Sequence, residues 1–298
     1  MKLSLKEWKE RAERHRLLVS PMADPFLERR SVGKKHPVYD FLFTYYTFTP
    51  AKLKEWVPSF EEALEIEEGF SGFSDYWFEL QEGVLRLKGE RLQGQALAIL
   101  SFIEELCDRV AKRSPRFGCY GLHEWAMVYR LAPEQLRHTD YPLRLSFEAI
   151  AHFVESQTLC CSHYDAYRFF TPAAKPLNVL QPTLSTRIEH EQGGCLHANM
   201  DLYKWATKLW PWIGSDFIGK TFLLALEGRE LDMRASPYDL QEHGYEPICI
   251  ETEEGRKEYQ RLQQEYAQKA QELRQELRNF CKKLKVFYGK NSLSCSLL

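Results

Sequence analysis

The sequence lacks most of the short motifs that identify common cofactor and nucleophile sites. It has no nucleophile elbow and no His-Glu-x-x-His motif, and we expect no glycine-rich phosphate loop. Its eight cysteines are scattered, and the one adjacent pair, Cys160 and Cys161, has no second pair at zinc-site spacing. Dinucleotide-dependent, P-loop and paired-cysteine zinc chemistry are therefore not expected, and the cysteines are interpreted as reduced thiols.

The sequence also lacks a long apolar run. No stretch approaches the roughly 20 apolar residues that a membrane-spanning helix needs, and the charged residues 1–18 contain no apolar core of a signal peptide. The balance of 44% hydrophobic and 28% charged residues is typical of a globular protein with one large or two small domains. We therefore predict a cytoplasmic protein with no membrane partner, and the sequence leaves its oligomeric state open.

Positive charge is concentrated at the two ends of the chain. Residues 1–35 hold ten Lys/Arg and five Asp/Glu, and residues 256–298 hold ten and four, so these ends carry +5 and +6. The segment between them carries −13, within a net charge of −2 for all 298 residues. If the protein binds nucleic acid, its ends must supply the phosphate contacts, because the middle would repel the backbone. The alternative is that these charges only keep surface helices solvated.

The hydrophobic pattern predicts a mainly α-helical fold. We expect one multi-helix globular domain with a small β-hairpin element over residues 1–252, a long basic amphipathic C-terminal helix over 253–286 and a flexible tail over 287–298. The predicted helices of the domain cover residues 5–19, a short stretch after Asp24, 50–57, 93–113, 121–131, 145–156, 196–210 and 215–231. The hairpin is predicted at 76–89, and residues 172–194, with three prolines and a closing glycine pair, form an unusually long loop.

Histidines are concentrated in the middle of the chain. Six of the nine fall between residues 120 and 200, namely His123, His138, His152, His163, His190 and His197. Four segments mix ionisable groups with large aromatics: GLHEWAMVYR (121–130), CSHYDAYRFFTPAA (161–174), GCLHANMDLYKW (194–205) and LDMRASPYDL (231–240). This combination suits a pocket that holds a planar ring and carries out acid–base chemistry on it.

The segment at 194–205 allows two interpretations. His197 and Asp201 are four residues apart, so they share one face of a predicted helix, and Lys204 and Lys208 continue that polar stripe. The remaining positions are nearly all apolar or aromatic. The stripe therefore either faces solvent on a packed helix or lines a cavity deep in the fold.

The other three segments offer further candidates, each with a purely structural alternative. Glu124 is next to His123 and can belong to an internal network of histidine, arginine and carboxylate groups. Asp165 lies three residues before Arg168, and the two can form a buried ion pair on a helix. Arg234 lies at the expected end of a helix, and the purely structural alternative is that the polar residues next to it cap the following turn.

Taken together, these segments resemble a family of bacterial proteins of about this length that commonly carry the name 3-methyladenine DNA glycosylase. The resemblance extends from KHPVYDFLFTYYTF (35–48) through the four segments to IETEEGRKEY (250–259), so it covers most of the chain. The chain has no helix-hairpin-helix with a Gly-Pro-Asp turn, the element of the better-known helical glycosylases. Their catalytic aspartate therefore cannot be transferred by position.

The resemblance implies hydrolysis of the N-glycosidic bond to an alkylated base, a DNA base-excision repair activity on DNA or a modified nucleoside that needs no cofactor. In such chemistry a carboxylate stabilises the positive charge on the sugar, and aromatic side chains stack on the extruded base. On this basis Asp201 is the predicted carboxylate, and His197 and Glu124 are the further catalytic groups. The predicted substrate-binding residues are Trp125, His163, Asp165, Arg168, Tyr203, Trp205 and Arg234.

The alternative is a metal-dependent enzyme that acts on a small molecule. Side chains from separate helices would together hold iron or another divalent metal. The predicted ligands are Glu124, His163, Asp165, His197 and Asp201. A hydrolase of free modified nucleosides and a non-enzymatic binding protein are further interpretations that the residues leave open.

Overall fold

The computed structural model describes residues 1–136 and 141–295, with side chains up to residue 287 apart from that gap. His138 and residues 296–298 of the predicted tail lie outside the described residues. Within them the protein is mainly helical, with a small β-sheet and a long C-terminal helix, as the sequence predicts. No helix in this part of the chain is both long and apolar enough to cross a membrane.

Eleven α-helices and four β-strands are present in the described residues. The helices are α1 (Leu5–Ser31), α2 (Phe41–Thr44), α3 (Pro50–Lys54), α4 (Gln95–Lys112), α5 (Leu122–Val128), α6 (Phe147–Ser156), α7 (Tyr164–Tyr167), α8 (Arg187–His190), α9 (Leu196–Lys208), α10 (Ser215–Arg234) and α11 (Glu253–Cys295). The strands are β1 (Lys2–Leu3), β2 (Ala63–Glu65), β3 (Phe78–Gln81) and β4 (Val84–Leu87).

Local signals of the sequence are confirmed in several of these elements. The predicted hairpin forms from β3 and β4, which pair antiparallel and are joined by a tight turn. Helix α3 begins where the side-chain oxygen of Thr49 accepts a hydrogen bond from a backbone N–H of the first turn. Helix α4 occupies most of the predicted range 93–113, and Leu100 and Ile103 on its apolar face are buried.

The hairpin belongs to a four-stranded sheet with the strand order β1-β2-β4-β3. Strand β2 pairs antiparallel with β4, and β1 pairs parallel with β2, with Leu3 opposite Leu64. Leu3, Leu64, Leu85 and Leu87 are buried, so the sheet contributes an apolar face to the core. The sequence does not predict β1 and β2, because strands of two and three residues are too short to show an alternating pattern.

Helix α1 is one continuous element where the sequence predicts a break. The expected first helix ends at Val19, but α1 continues through Pro21 and Pro25. Val19, Ala23 and Phe26 are buried at helical spacing. Packing of this apolar stripe offsets the backbone hydrogen bonds that proline cannot donate.

Helix α11 is the predicted long C-terminal helix. It begins after Thr252, whose hydroxyl oxygen accepts a hydrogen bond from the N–H of Gly255 over 3.0 Å. It continues to Cys295, which corrects the predicted end at residue 286 and places residues 287–295 of the predicted tail in the helix.

The chain divides into two compact units, each built from segments that are distant in sequence. Unit 1 comprises residues 1–107, 202–223 and those from 273 onward, and it contains the β-sheet. Unit 2 comprises residues 108–201 and 224–272, and it contains helices α5 to α8. Helices α4, α9, α10 and α11 each contribute residues to both units.

One stretch of unit 1 matches the spacing of a phosphate-binding loop but has a different backbone. Gly214, Gly219, Lys220 and Thr221 fit the pattern G-x-x-x-x-G-K-[ST]. In a phosphate loop the backbone after a β-strand forms a turn whose N–H groups surround the phosphate. Here residues 215–221 lie in α10, and the hydroxyl of Thr221 donates to carbonyl groups of the preceding turn. The match is a coincidence of spacing, and no phosphate loop forms at this position.

Gly194 closes the long loop at a point with no room for a side chain. A Cβ atom on this residue would lie 2.4 Å from the backbone carbonyl oxygen of Arg116. We expect Gly194→Ala to destabilise unit 2 by about 1–3 kcal/mol, because a backbone carbonyl must move. Gly193→Ala is the matched control, since its Cβ would meet no atom within 4 Å. Urea denaturation followed by circular dichroism measures both variants, and equal stability would contradict this packing.

Candidate functional site

Unit 2 contains two buried groups of histidines and carboxylates. The first group joins His123 on α5, His197 on α9 and Asp232 on α10, and none of these residues is more than 8% exposed. Helix α5 is short and almost entirely buried, and it starts after Gly121, whose positive φ favours glycine. The polar side chains of α5 therefore need partners inside the protein.

The first group is organised around the carboxylate of Asp232. His123 Nε2 lies 2.6 Å from Asp232 Oδ1, and His197 Nε2 lies 3.8 Å from Asp232 Oδ2. Arg229 Nη1 donates to Asp232 Oδ2 over 2.7 Å and to Glu124 Oε1 over 2.9 Å. Glu124 thus belongs to an internal network of histidine, arginine and carboxylate groups, with Arg229 as its guanidinium.

The two imidazoles of the first group differ in proton affinity. Burial, assisted by the nearby His123, lowers the pKa of His197 to about 3. Burial also disfavours the charged form of His123, but the carboxylate of Asp232 outweighs this effect and raises the pKa of His123. Although burial alone would raise the pKa of Asp232, the adjacent imidazoles and Arg229 hold it below its usual range. At neutral pH His197 is a neutral imidazole, the form in which histidine binds metal ions.

The second group surrounds His163, the residue just before α7. His163 is fully buried, and its Nε2 lies 3.2 Å from Asp201 Oδ2 and 3.5 Å from Glu191 Oε1. Arg187 Nη2 lies 2.5 Å from Asp165 Oδ2, and its Nε lies 3.0 Å from Glu191 Oε1. The ring of His163 therefore faces several carboxylates, two of which contact the same guanidinium.

The two groups are neighbours through their histidine rings. His163 and His197 stack with ring centres 5.6 Å apart and 28° between the ring planes. His197 also packs edge-on against His123, with ring centres 4.4 Å apart. Helix α9 contributes one side chain to each group, because His197 and Asp201 are one turn apart. The pair that the sequence places on one helix face is therefore divided between two sites.

Each group has the composition and spacing of a metal site. One ligand atom from each of three side chains lies within 4.8 Å of the other two, in His123, His197 and Asp232 and again in His163, Asp165 and Asp201. Two imidazoles and one carboxylate are the donor set of many non-haem iron centres, and oxygen-rich sets suit Mn²⁺ or Mg²⁺. Of the predicted metal ligands only Glu124 is outside both sets, and it supports Asp232 through Arg229.

A narrow pocket of about 20 Å³ reaches the first group. Among the described residues its lining includes the rings of His123 and His197 but neither Asp201 nor His163. The rest of the lining is Cys119, Leu122, Leu159, Cys160, Cys161, Ser162, Phe170, Gln192, Cys195 and Leu196. Burial raises the pKa of these thiols, to about 12 for Cys161, so they are protonated at neutral pH. The pocket has room for about one water molecule beside the two imidazoles.

The aromatic side chains that were expected to stack on a base lie in the core. Trp125 is 0% exposed, and its indole N–H donates to the carbonyl oxygen of Ala235 over 2.8 Å. Tyr203 and Trp205 belong to unit 1, where Tyr203 is fully buried and Trp205 packs edge-on against Phe102. Within the described residues none of these three predicted rings lines the histidine pocket. Their placement fits a role in packing rather than in stacking on a substrate.

The two predicted arginines have partners of their own. Arg168 Nε lies 3.6 Å from Asp165 Oδ1 with 44% of its side chain exposed, so the predicted ion pair forms at the surface. Arg234 Nε donates to the backbone carbonyl of Glu246 over 3.0 Å. Arg168 therefore lies next to the second group, and the hydrogen bond of Arg234 stabilises the segment that follows α10.

The polar stripe of α9 changes character along the helix. His197 and Asp201 are buried, Lys204 is half-buried and Lys208 is exposed. Each interpretation of the stripe therefore holds for one half of it, because the first half lies inside the fold and the second half reaches solvent.

Four side chains of these groups are not predicted from the sequence, namely Arg187, Glu191, Arg229 and Asp232. Arg229 and Asp232 are three residues apart, and Arg187 and Glu191 are four apart, so each is an ion pair at helical spacing. Both pairs are buried. An arginine and a carboxylate at helical spacing are the sequence signal that points to them, because such a pair needs further polar partners when it is buried.

Comparison with known proteins adds no assignment. No protein-family model matches the sequence, and comparison with curated proteins and with solved structures finds no match. The resemblance to the bacterial 3-methyladenine DNA glycosylase family therefore stays a prediction, and any functional conclusion has to come from the geometry of the two groups.

Proposed function

We propose that the protein is an enzyme that acts on a small molecule through a divalent metal ion held by His123, His197 and Asp232. The observation that carries this proposal is the approach of both Nε2 atoms to one carboxylate beside a pocket. Three protein ligands leave coordination positions open for water and substrate. The pocket beside the two histidines has room for about one water ligand at such a position, and a substrate reaches the ion only if the site opens.

The neighbouring side chains prepare the first group for this role. Arg229 donates to one oxygen of Asp232 and fixes the orientation of the carboxylate, and Glu124 holds Arg229 in turn. Burial excludes bulk water and so strengthens the electrostatic interactions within the group. A divalent ion held by these residues would lower the pKa of a bound water and supply a nucleophile at neutral pH. Hydrolysis is therefore the reaction class that we assign.

Metal analysis tests this proposal. Protein purified without chelators is expected to contain about one or more equivalents of iron, manganese or zinc per chain, since His and Asp ligands bind these metals. His123→Ala and His197→Ala are each expected to lose the metal of the first group. His152→Ala, which removes an exposed histidine of α6, should keep it. Folded wild-type protein that retains no metal after dialysis against Mn²⁺ or Zn²⁺ would contradict the proposal.

Hydrolysis of an N-glycosidic bond is a second candidate, favoured by the position of His197. This residue, expected to position water or a proton, lines the pocket, and Asp201 lies one helical turn away. The carboxylate of Asp201 would stabilise positive charge on the sugar without a metal. In this structure Asp201 is 1% exposed and contacts His163, so it reaches a substrate only if the site opens.

The basic ends of the chain have less charge available for DNA than their composition indicates. Lys283 on α11 pairs with Glu61 within unit 1, and Lys269 pairs with Glu227 within unit 2. A phosphate contact by either lysine has to compete with an existing ion pair. Release of 3-methyladenine from alkylated duplex DNA by metal-free protein, and its loss in Asp201→Asn, would favour the second candidate over the metal enzyme.

A further inference from the structure

The proposed function uses only the first group, although the second group is equally well formed. His163, Asp165 and Asp201 bring ligand atoms within 4.8 Å of one another, and none of them belongs to the first group. Glu191 adds a carboxylate oxygen 3.5 Å from His163 Nε2. These side chains come from α9, from α7 with the residue before it, and from the residue after α8.

We propose that the second group binds a second divalent cation, so that unit 2 holds a two-metal centre. The proposal rests on the proposed function, because both ions would serve the same reaction. One imidazole and several carboxylates form an oxygen-rich donor set, which suits Mn²⁺, Fe²⁺ or Mg²⁺ better than a soft metal. The second ion is therefore a hard or borderline divalent cation.

The charges of the second group favour a cation. Asp201 and Glu191 contact His163, and a carboxylate oxygen of Asp165 lies within 4.8 Å of its ring nitrogen. Arg187 contacts Asp165 and Glu191. Arg168 approaches one of these carboxylates to 3.6 Å from a partly exposed position. Together these side chains are net negative when His163 is neutral. Repulsion between carboxylates is strong where water is excluded, and a divalent ion between them relieves it.

An unsatisfied nitrogen of His163 is an independent sign of a ligand. The residue is 0% exposed, and its Nδ1 has no hydrogen-bond partner within the part of the chain that the structure describes. Buried polar atoms nearly always have a partner. The Nε2 atom, which faces Asp201 and Glu191, is the nitrogen that would bind the ion, so we assign the missing contact of Nδ1 to a bound water. Histidine binds metals through either ring nitrogen.

The two groups are direct neighbours in unit 2. The ring of His163 stacks on the ring of His197 with ring centres 5.6 Å apart, so the two groups are in contact. One turn of α9 supplies His197 to the first group and Asp201 to the second. Two neighbouring divalent ions can stabilise the attacking and the leaving oxygen of a substrate together. The second ion therefore has a role in the assigned reaction class.

Counting Mn²⁺ sites tests the proposal. Full-length protein is freed of metal with a chelator and titrated with Mn²⁺, and the unbound ion is measured by its electron paramagnetic resonance signal. Wild type is expected to bind about two equivalents, as in two-metal enzymes, and Asp201→Asn and Asp232→Asn about one each. Glu189→Gln, which changes an exposed acid on α8, is the matched control and should bind as wild type does. The bound Mn²⁺ signal should be broader in wild type than in either single-site variant, because neighbouring ions broaden one another.

The outcomes separate this inference from the proposed function. Wild type that binds one equivalent, retained in Asp201→Asn and lost in Asp232→Asn, overturns the second site and leaves the proposed function in place. Wild type that binds none overturns both. Circular dichroism establishes that each variant is folded, and His163→Gln replaces Asp201→Asn if the latter is not. The wild-type stoichiometry decides between one and two ions without any variant.

Discussion

Metal binding by the first group is expected to be lost in Asp232→Asn, with a decrease in affinity larger than the about 10–100-fold that follows removal of an outer partner. Both imidazoles of the group approach this carboxylate, so the change removes the only negative ligand of the proposed set. Asp232 also contacts Arg229, and breaking a buried ion pair costs about 3–5 kcal/mol of the free energy of unfolding. Isothermal titration with Mn²⁺ and urea denaturation measure the two effects separately.

Glu124→Gln is the matched control for this variant. Glu124 contacts the same guanidinium as Asp232 and is also buried, but it is not one of the three proposed ligands. The control is expected to lower the free energy of unfolding in the same way, because Arg229 loses a charged partner. It should keep the metal of the first group. Equal Mn²⁺ affinity in Asp232→Asn and in Glu124→Gln would remove Asp232 from the site.

Trp125→Ala is expected to have a large effect on stability. The side chain is fully buried, packs edge-on against Phe153 with ring centres 4.8 Å apart and donates a hydrogen bond to Ala235. Truncating a buried tryptophan to alanine leaves a cavity and typically lowers the free energy of unfolding by about 3–5 kcal/mol. Urea denaturation followed by circular dichroism measures this loss.

The conservative variant Trp125→Phe separates packing from the hydrogen bond. Phenylalanine keeps most of the buried ring but leaves the carbonyl of Ala235 without its donor, which costs about 1–3 kcal/mol. The stability of Trp125→Phe should therefore lie between that of wild type and that of Trp125→Ala. If Trp125→Ala instead left stability unchanged and weakened the binding of a nucleobase, the tryptophan would be a stacking residue after all.

The parts of the fold that the sequence predicts are those with local signals. Helix α4 repeats apolar residues at helical intervals, and Thr49 and Thr252 cap the helices that follow them. Apolar and polar residues alternate on both sides of the short loop between β3 and β4, and this pattern predicts both strands together. Each of these signals lies within a few residues of the structure that it specifies.

The parts that the sequence does not predict depend on contacts between distant residues. Strand β1 exists because residues 2–3 pair with residues 63–64, and neither stretch shows a strand pattern by itself. Helix α1 passes through Pro21 and Pro25 because its apolar stripe is buried, which local propensity does not reveal. In both cases tertiary packing outweighs the local preference of the chain.

The residue types of the two buried groups could be predicted from the sequence, but their arrangement could not. The clustering of histidines along the sequence points to the region that contains the two buried groups, and four of the side chains that the sequence offers as metal ligands fall within these groups. The partner of His123 is Asp232, 109 residues further along the chain, and no spacing rule connects them. From the sequence, the aromatic residues of the same segments are equally plausible site residues, but Trp125 is buried in the core. Burial, which separates these roles, is a property of the fold.

The most direct test of the central claim is the position of a bound ion in crystals grown with Mn²⁺. Diffraction data collected at the manganese absorption edge locate the ion by its anomalous signal. We predict a peak bounded by His123, His197 and Asp232, within coordination distance of all three side chains. Anomalous peaks confined to exposed carboxylates, with none in unit 2 between these three side chains, would contradict the account.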